Sequence, residues 1–141
     1  MDLATIWRVW LPLVGGLVGV GAIFRAAPGP HGPARSIGLL LALIGLAGVI
    51  LARYTLGRSF SVTAKATALV TTGIYSRIRN PIYVSGLFLI GGVVLMLWRP
   101  EGLLVVLAII VMQIIRARRE AAVLEAKFGD EYREYRKRTW F

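Results

Sequence analysis

The stretch GIYSRIRNPIYVSG, from Gly73 to Gly86, changes from polar and basic to apolar at Asn80 and Pro81. Asparagine is a favoured N-cap residue and proline a favoured first residue of a helix, so this pair predicts the start of an apolar helix. The basic residues before the pair would then lie at the rim of a membrane, with their long side chains reaching the headgroups. Most of the polar chemistry of the chain is expected at this rim.

The composition of the chain indicates a membrane protein. Hydrophobic residues make up 57% of the 141 residues and charged residues 17%, with a mean hydropathy of +0.69. Soluble domains contain about 45–50% apolar and about 25% charged residues. A single domain, residues 1–141, is expected. It leaves no room for a separate nucleotide-binding domain, so any cofactor is expected to bind among the helices. The absence of cysteine excludes disulfides and thiolate metal sites.

Four apolar segments approach the length of about 20 residues that crosses a hydrocarbon core of about 30 Å. Only RPEG, residues 99–102, separates the third segment from the fourth, which predicts a tight antiparallel hairpin. Small residues such as Gly38, Ala42 and Gly45 are expected to let neighbouring helix backbones pack closely. The sequence therefore predicts an all-α membrane helix bundle, followed by a cytoplasmic amphipathic helix, with spans at residues 6–24, 37–54, 82–98 and 102–117.

The distribution of charge predicts the orientation of these spans. The link from Thr55 to Pro81 contains four basic residues and no acidic one. The charged residues of the link between the first two spans are only two, Arg25 and Arg35. By the positive-inside rule, the basic link and both termini are expected in the cytoplasm of a multi-pass cell-membrane protein. The first span is long for the apolar region of a signal peptide, which favours its retention in the membrane.

Charge and histidine content limit the partners of the chain. The formal net charge of +10 indicates contact with anionic membrane lipids. The basic residues flank the spans and form no single stripe, which argues against nucleic-acid binding. His31, the only histidine, lies between prolines on the predicted non-cytoplasmic link, so neither a histidine base nor a metal site is expected. The oligomeric state is left open.

Two polar segments, residues 67–83 and 116–135, are expected to meet, because the hairpin of the third and fourth spans brings both to one end of the bundle. In the second segment Arg116 and Glu120 are one helical turn apart. An intrahelical ion pair explains them, yet a carboxylate so close to the membrane usually has a partner. The segment also predicts a break in the helix at Gly129.

The first of these segments has two readings. Tyr75 and Tyr83 are typical of an aromatic belt at a membrane interface. Equally, the start of a helix points free N–H groups outward, and Arg79 beside it offers a bidentate clamp for a carboxylate or phosphate. Residue spacing alone leaves both readings open.

Three stretches together resemble one family. LGRSFS (residues 56–61), LVTTGIYSRIRNPIY (69–83) and REAAVLEAKFGDEYREY (119–135) occur in the order and spacing of the isoprenylcysteine carboxyl methyltransferase family of integral membrane enzymes. The chain resembles the phospholipid N-methyltransferases more distantly. The resemblance implies an S-adenosyl-L-methionine cofactor held at the cytoplasmic end of a helix bundle.

The family's motifs carry over residue by residue. By resemblance, Asn80 and Tyr83 contact the cofactor, Glu120 binds its methionine amino group, and Arg116 positions the acceptor without a general base. Two positions depart from the pattern, since Asn80 replaces a histidine and Ala121 stands where a second glutamate is usual. The resemblance also implies an adenosine pocket lined by Thr67, Ala68, Leu69, Val70, Gly73 and Tyr75. The other cofactor-binding residues expected are Arg79 and Pro81.

The expected activity is carboxyl O-methylation of a lipophilic or lipid-linked acceptor. A carboxylate is already ionised at neutral pH, so it needs no base, whereas an amine acceptor must first lose a proton. Methyl transfer then depends chiefly on proximity and orientation. Phospholipid N-methylation and a non-catalytic membrane scaffold or sensor are the alternatives.

Overall fold

The computed structural model describes residues 11–26, 32–56 and 69–141, and the regular structure in these ranges is helical. The predicted all-α class is therefore confirmed. A 3₁₀ turn precedes the third α-helix and covers Gly73–Ser76. The α-helices are α1 (Leu11–Ala26), α2 (Pro33–Leu56), α3 (Pro81–Leu97), α4 (Gly102–Phe128) and α5 (Asp130–Arg138).

The described helices match the predicted spans in position but differ in their ability to cross a membrane. By length and composition, α2 is the one described helix that is both long and apolar enough to do so. The apolar stretch of α1, Leu13–Ala26, and that of α3, Pro81–Leu97, are shorter than a full membrane span. In α4 the apolar part ends at Ile115, because arginines follow. Residues 6–10 of the first predicted span lie outside the described ranges, and four spans do not follow from helix length alone.

Small residues bring the backbones of α2 and α3 into contact. A Cβ atom at Gly92 of α3 would lie 2.5 Å from the backbone nitrogen of Ala42 and 2.5 Å from the carbonyl oxygen of Gly38, both in α2. A Cβ atom at Gly45 would lie 2.6 Å from the carbonyl oxygen of Ser85. The predicted close packing is confirmed, and it follows the rule that small residues let membrane helices approach.

The helix α4 lies at the edge of the bundle, and none of its residues is buried. Large apolar side chains point outward from it, with Leu103 64% exposed and Leu104 71% exposed. It approaches α3 closely at Gly102, where a Cβ atom would lie 2.6 Å from a methyl carbon of Val94. Exposed apolar surface of this extent indicates contact with a membrane or a partner.

Replacing Gly92 with alanine is expected to destabilise the protein by about 1–3 kcal/mol, because the new methyl group would overlap backbone atoms of α2. Thermal unfolding in detergent measures the change. Gly91 is the matched control, since it lies on the same helix and a Cβ atom there meets nothing within 4 Å. Gly91→Ala should leave the unfolding temperature unchanged or raise it. Equal losses in both variants would contradict the close contact.

Candidate functional site

The beginning of α3 and the second half of α4 meet through one side-chain hydrogen bond. The hydroxyl of Tyr83 donates to Oε2 of Glu120 over 2.9 Å, and both residues are half-buried. A carboxylate beside an apolar surface needs a donor, because burying it without one is costly. The expected meeting of the two polar segments is therefore confirmed at this point.

Arg116 completes a group of three side chains at this point. It lies one turn before Glu120 on α4. Its guanidinium lies close enough for its positive charge to act on the Tyr83 hydroxyl. The side chain is otherwise exposed. One phenol thus has a carboxylate and a guanidinium of opposite charge beside it.

One of the two buried tyrosines of α5, Tyr135, holds the segment before α3 through a hydrogen bond. The predicted break is confirmed at Gly129, whose φ of 52° separates α4 from α5. The hydroxyl of Tyr135 donates to the carbonyl oxygen of Tyr75 over 2.8 Å, and the rings of Tyr132 and Tyr135 lie 6.2 Å apart. Burial raises the pKa of Tyr135 to about 12, so this hydroxyl keeps its proton at neutral pH. Burial, reinforced by the charge of Glu120, also raises the pKa of Tyr75.

The chain after α5 pairs with the backbone that leads into α3. Ile78 and Trp140 form an isolated parallel bridge. The N–H of Arg79 donates to the carbonyl oxygen of Trp140 over 3.1 Å, and the N–H of Asn80 donates to the oxygen of Phe141 over 2.9 Å. The sequence pattern gave no sign of this pairing. The tail thus occupies the backbone N–H of Asn80, the N-cap of α3, and that of the residue before it.

Asn80 is the N-cap of α3 and Pro81 its first residue, as predicted. The side chain of Asn80 nevertheless makes no capping hydrogen bond. Its carbonyl oxygen accepts hydrogen bonds from the N–H groups of Tyr83 and Val84. The predicted position is confirmed, and the side-chain amide is not committed to capping the helix.

The other members of the predicted cofactor group are placed as follows. Leu69, Val70 and Arg79 are half-buried, and Pro81 is fully buried. Thr67 and Ala68 lie outside the described ranges. Contact of these residues with a cofactor stays a prediction. Within residues 11–26, 32–56 and 69–141, no three His, Asp or Glu side chains group together as a metal site would require.

A largely apolar cavity of about 950 Å³ lies between α3 and α4. Its walls include Leu87 from α3 and Val106 from α4, and Gln113 contributes a polar group. Residues 140–141 line it as well, and residues 98–100 line its far end at the α3–α4 turn. Sequence reasoning missed this cavity, because an apolar residue that faces a cavity looks the same in sequence as one that faces lipid.

Comparison with known proteins adds one positive finding. A family model described as phospholipid methyltransferase matches residues 34–131, more than half of the chain. A search of curated proteins finds no match. The hydrogen bond between Tyr83 and Glu120 lies within the matched range.

Replacing Tyr135 with phenylalanine is expected to lower the free energy of unfolding by about 1–3 kcal/mol, because the carbonyl of Tyr75 loses its donor in a buried place. Denaturant or thermal unfolding in detergent measures the loss. Tyr54→Phe is the control, since Tyr54 is 64% exposed on α2 and its loss should change little. A Tyr135→Phe protein as stable as the original would show that this hydrogen bond does not support the fold.

Proposed function

We propose, from the fact that the chain belongs to the phospholipid methyltransferase family, that it is an integral membrane methyltransferase that uses S-adenosyl-L-methionine and a lipophilic acceptor. The observation that carries the proposal is the hydrogen bond from Tyr83 to Glu120. It joins the two polar segments on which the resemblance to membrane methyltransferases rests. A site assembled from these segments needs no separate nucleotide-binding domain.

The residues present fit this cofactor. Its amino-acid end carries an ammonium group, for which Glu120 offers a half-buried carboxylate whose orientation is fixed by Tyr83. The uncommitted amide of Asn80 and the half-buried Arg79 lie at the start of α3. When bound, S-adenosyl-L-methionine supplies a methyl group on a sulfonium ion. The chain's own residues hold and orient the reactants, which is the main requirement of such a transfer.

The cavity between α3 and α4 supports a lipophilic acceptor. Its apolar walls suit a hydrocarbon chain. The cavity runs along α3, whose first turn contains Tyr83. Arg116 stands exposed beside that site and offers a guanidinium to an acceptor carboxylate. We therefore place the acceptor tail in the cavity and its reactive end near Arg116. Carboxyl O-methylation is the proposed reaction.

The proposed topology has four spans with both termini in the cytoplasm. The exposed apolar residues of α4 support it, since water would not suit them. The 17 residues of α3 extend about 26 Å, which is close to the hydrocarbon thickness of about 30 Å. The basic ends Arg77, Arg79 and Arg116 would then lie at the cytoplasmic headgroups.

Phospholipid N-methylation is the second candidate, because the matching family model is described as phospholipid methyltransferase. In that case the same cavity would hold acyl chains. The acceptor amine would need to lose a proton, and no described group is assigned to receive it.

Replacing Glu120 with glutamine is expected to weaken binding of S-adenosyl-L-methionine about 10- to 100-fold, because a charged partner of the ammonium group is lost. Calorimetry in detergent measures the affinity. Tyr83→Phe should weaken binding less, because Tyr83 acts by orienting the carboxylate.

Glu134→Gln is the matched control for this experiment. Glu134 forms an exposed ion pair with Lys137, whose removal should leave cofactor affinity unchanged. Unchanged affinity in both Glu120→Gln and Tyr83→Phe would count against the proposed site.

Incubating membranes that contain the protein with methyl-labelled cofactor is expected to label a lipid-soluble product that releases its label under mild base. Esters are cleaved under these conditions and N-methyl groups are not. Membranes with the Glu120→Gln variant provide the background. Label that remains in a phospholipid headgroup after treatment with base would contradict O-methylation and support N-methylation. If no label appears above background, the protein is better explained as a non-catalytic scaffold or sensor.

A further inference from the structure

One polar side chain interrupts the apolar part of α4. Residues 102–115 of this helix are glycine, alanine and larger apolar residues, with Gln113 as the exception. Its side chain lines the cavity between α3 and α4, and its Oε1 atom is buried without a hydrogen-bond partner in the described part of the chain. A buried carbonyl without a donor is costly, and polar residues at membrane depth are commonly functional. An apolar residue would fill this position at lower cost, so the amide calls for an explanation.

The two helices leave room beside the amide of Gln113. A Cβ atom built on Gly86 of α3 would lie 3.7 Å from Nε2 of Gln113, which is an ordinary contact distance. Rotation about the last bond of the glutamine side chain exchanges the positions of Nε2 and Oε1, and this torsion is broad. The amide can therefore offer either a donor or an acceptor to a group in the cavity.

The position of Gln113 along α4 places the amide near the reactive end of the proposed acceptor. Gln113 and Ile114 are the last residues of α4 that line the cavity, whereas Arg99 lies at the far end, at the α3–α4 turn. Arg116 follows three residues after Gln113, a rise of about 4.5 Å along a helix, and the two side chains are neighbours on the helix surface. A hydroxyl group on the second carbon from a carboxylate lies at a similar distance from the carboxylate oxygens.

We propose that Gln113 is a specificity-determining residue whose amide forms a hydrogen bond with a hydroxyl group close to the carboxylate of the acceptor. This inference rests on the proposed carboxyl methyltransferase function. It narrows the acceptor to long-chain acids with a hydroxyl group on the second carbon from the carboxylate. Because a hydroxyl both donates and accepts hydrogen bonds, it pairs with either atom of the amide. A plain hydrocarbon chain leaves the amide unsatisfied, which lowers its affinity.

Methylation of two free acids by the purified protein in detergent tests this role. β-Hydroxymyristic acid carries the hydroxyl group, and myristic acid has the same chain without it. With methyl-labelled cofactor, the original protein is expected to show a kcat/KM about 3- to 10-fold higher for the hydroxylated acid, as one hydrogen bond allows. Gln113→Met keeps the length of the side chain and removes the amide. It should abolish the preference by lowering kcat/KM for the hydroxylated acid.

Ile110→Met is the matched control, because Ile110 lines the same cavity one turn earlier on α4. It should change kcat/KM for both acids by the same factor. The Gln113→Met protein should also unfold at the same or a higher temperature than the original. A lower unfolding temperature would show that the amide supports the fold and would overturn the inference.

Three results of the methylation assay would contradict the role of Gln113 and leave the proposed function in place. They are equal activity of the original protein on both acids, an equal loss of both activities in Gln113→Met, and a preference that survives this substitution. If the original protein methylates neither acid, the inference fails. The proposed function fails with it only if membranes incubated with labelled cofactor also yield no product that releases its label under mild base.

Discussion

A carboxylate on a mostly apolar helix must find a donor, and this requirement organises the functional end of the molecule. Glu120 follows the apolar part of α4, and the hydroxyl of Tyr83 in the first turn of α3 satisfies it. Because α4 buries none of its residues, apolar burial within the chain does little to fix its position. A specific polar contact therefore has a larger part in placing α4 than it would in a well-packed soluble bundle.

The cavity between α3 and α4 follows from the same arrangement. The two helices are held close at their connecting turn, where Gly102 meets Val94. They are held again where Tyr83 meets Glu120. Between these points the larger side chains of both helices leave space of about 950 Å³. A pair of helices joined at both ends and separated in the middle thus leaves the apolar space in which we propose that the acceptor tail lies.

Local patterns predicted the helices, the close packing at Gly45 and the meeting of Tyr83 with Glu120, because each depends on spacing along the chain or on a short hairpin. Three features could not be predicted in this way. The bridge between Ile78 and Trp140 joins residues far apart in sequence, and no alternating strand pattern marks it. The cavity depends on how far two helices separate. The unpaired hydroxyl of Tyr132 depends on which groups surround it in three dimensions.

The change of charge during methyl transfer bears on the choice of acceptor. Transfer of a methyl group from a sulfonium cation to a carboxylate anion yields two neutral products, so a pair of opposite charges disappears. Poorly solvated surroundings disfavour the separate ions more than the neutral products, and they therefore assist this reaction. Transfer to a neutral amine only moves the positive charge from sulfur to nitrogen and gains no such advantage. This difference in charge is the physical ground on which we propose a carboxylate acceptor over an amine, with its tail in the apolar cavity between α3 and α4.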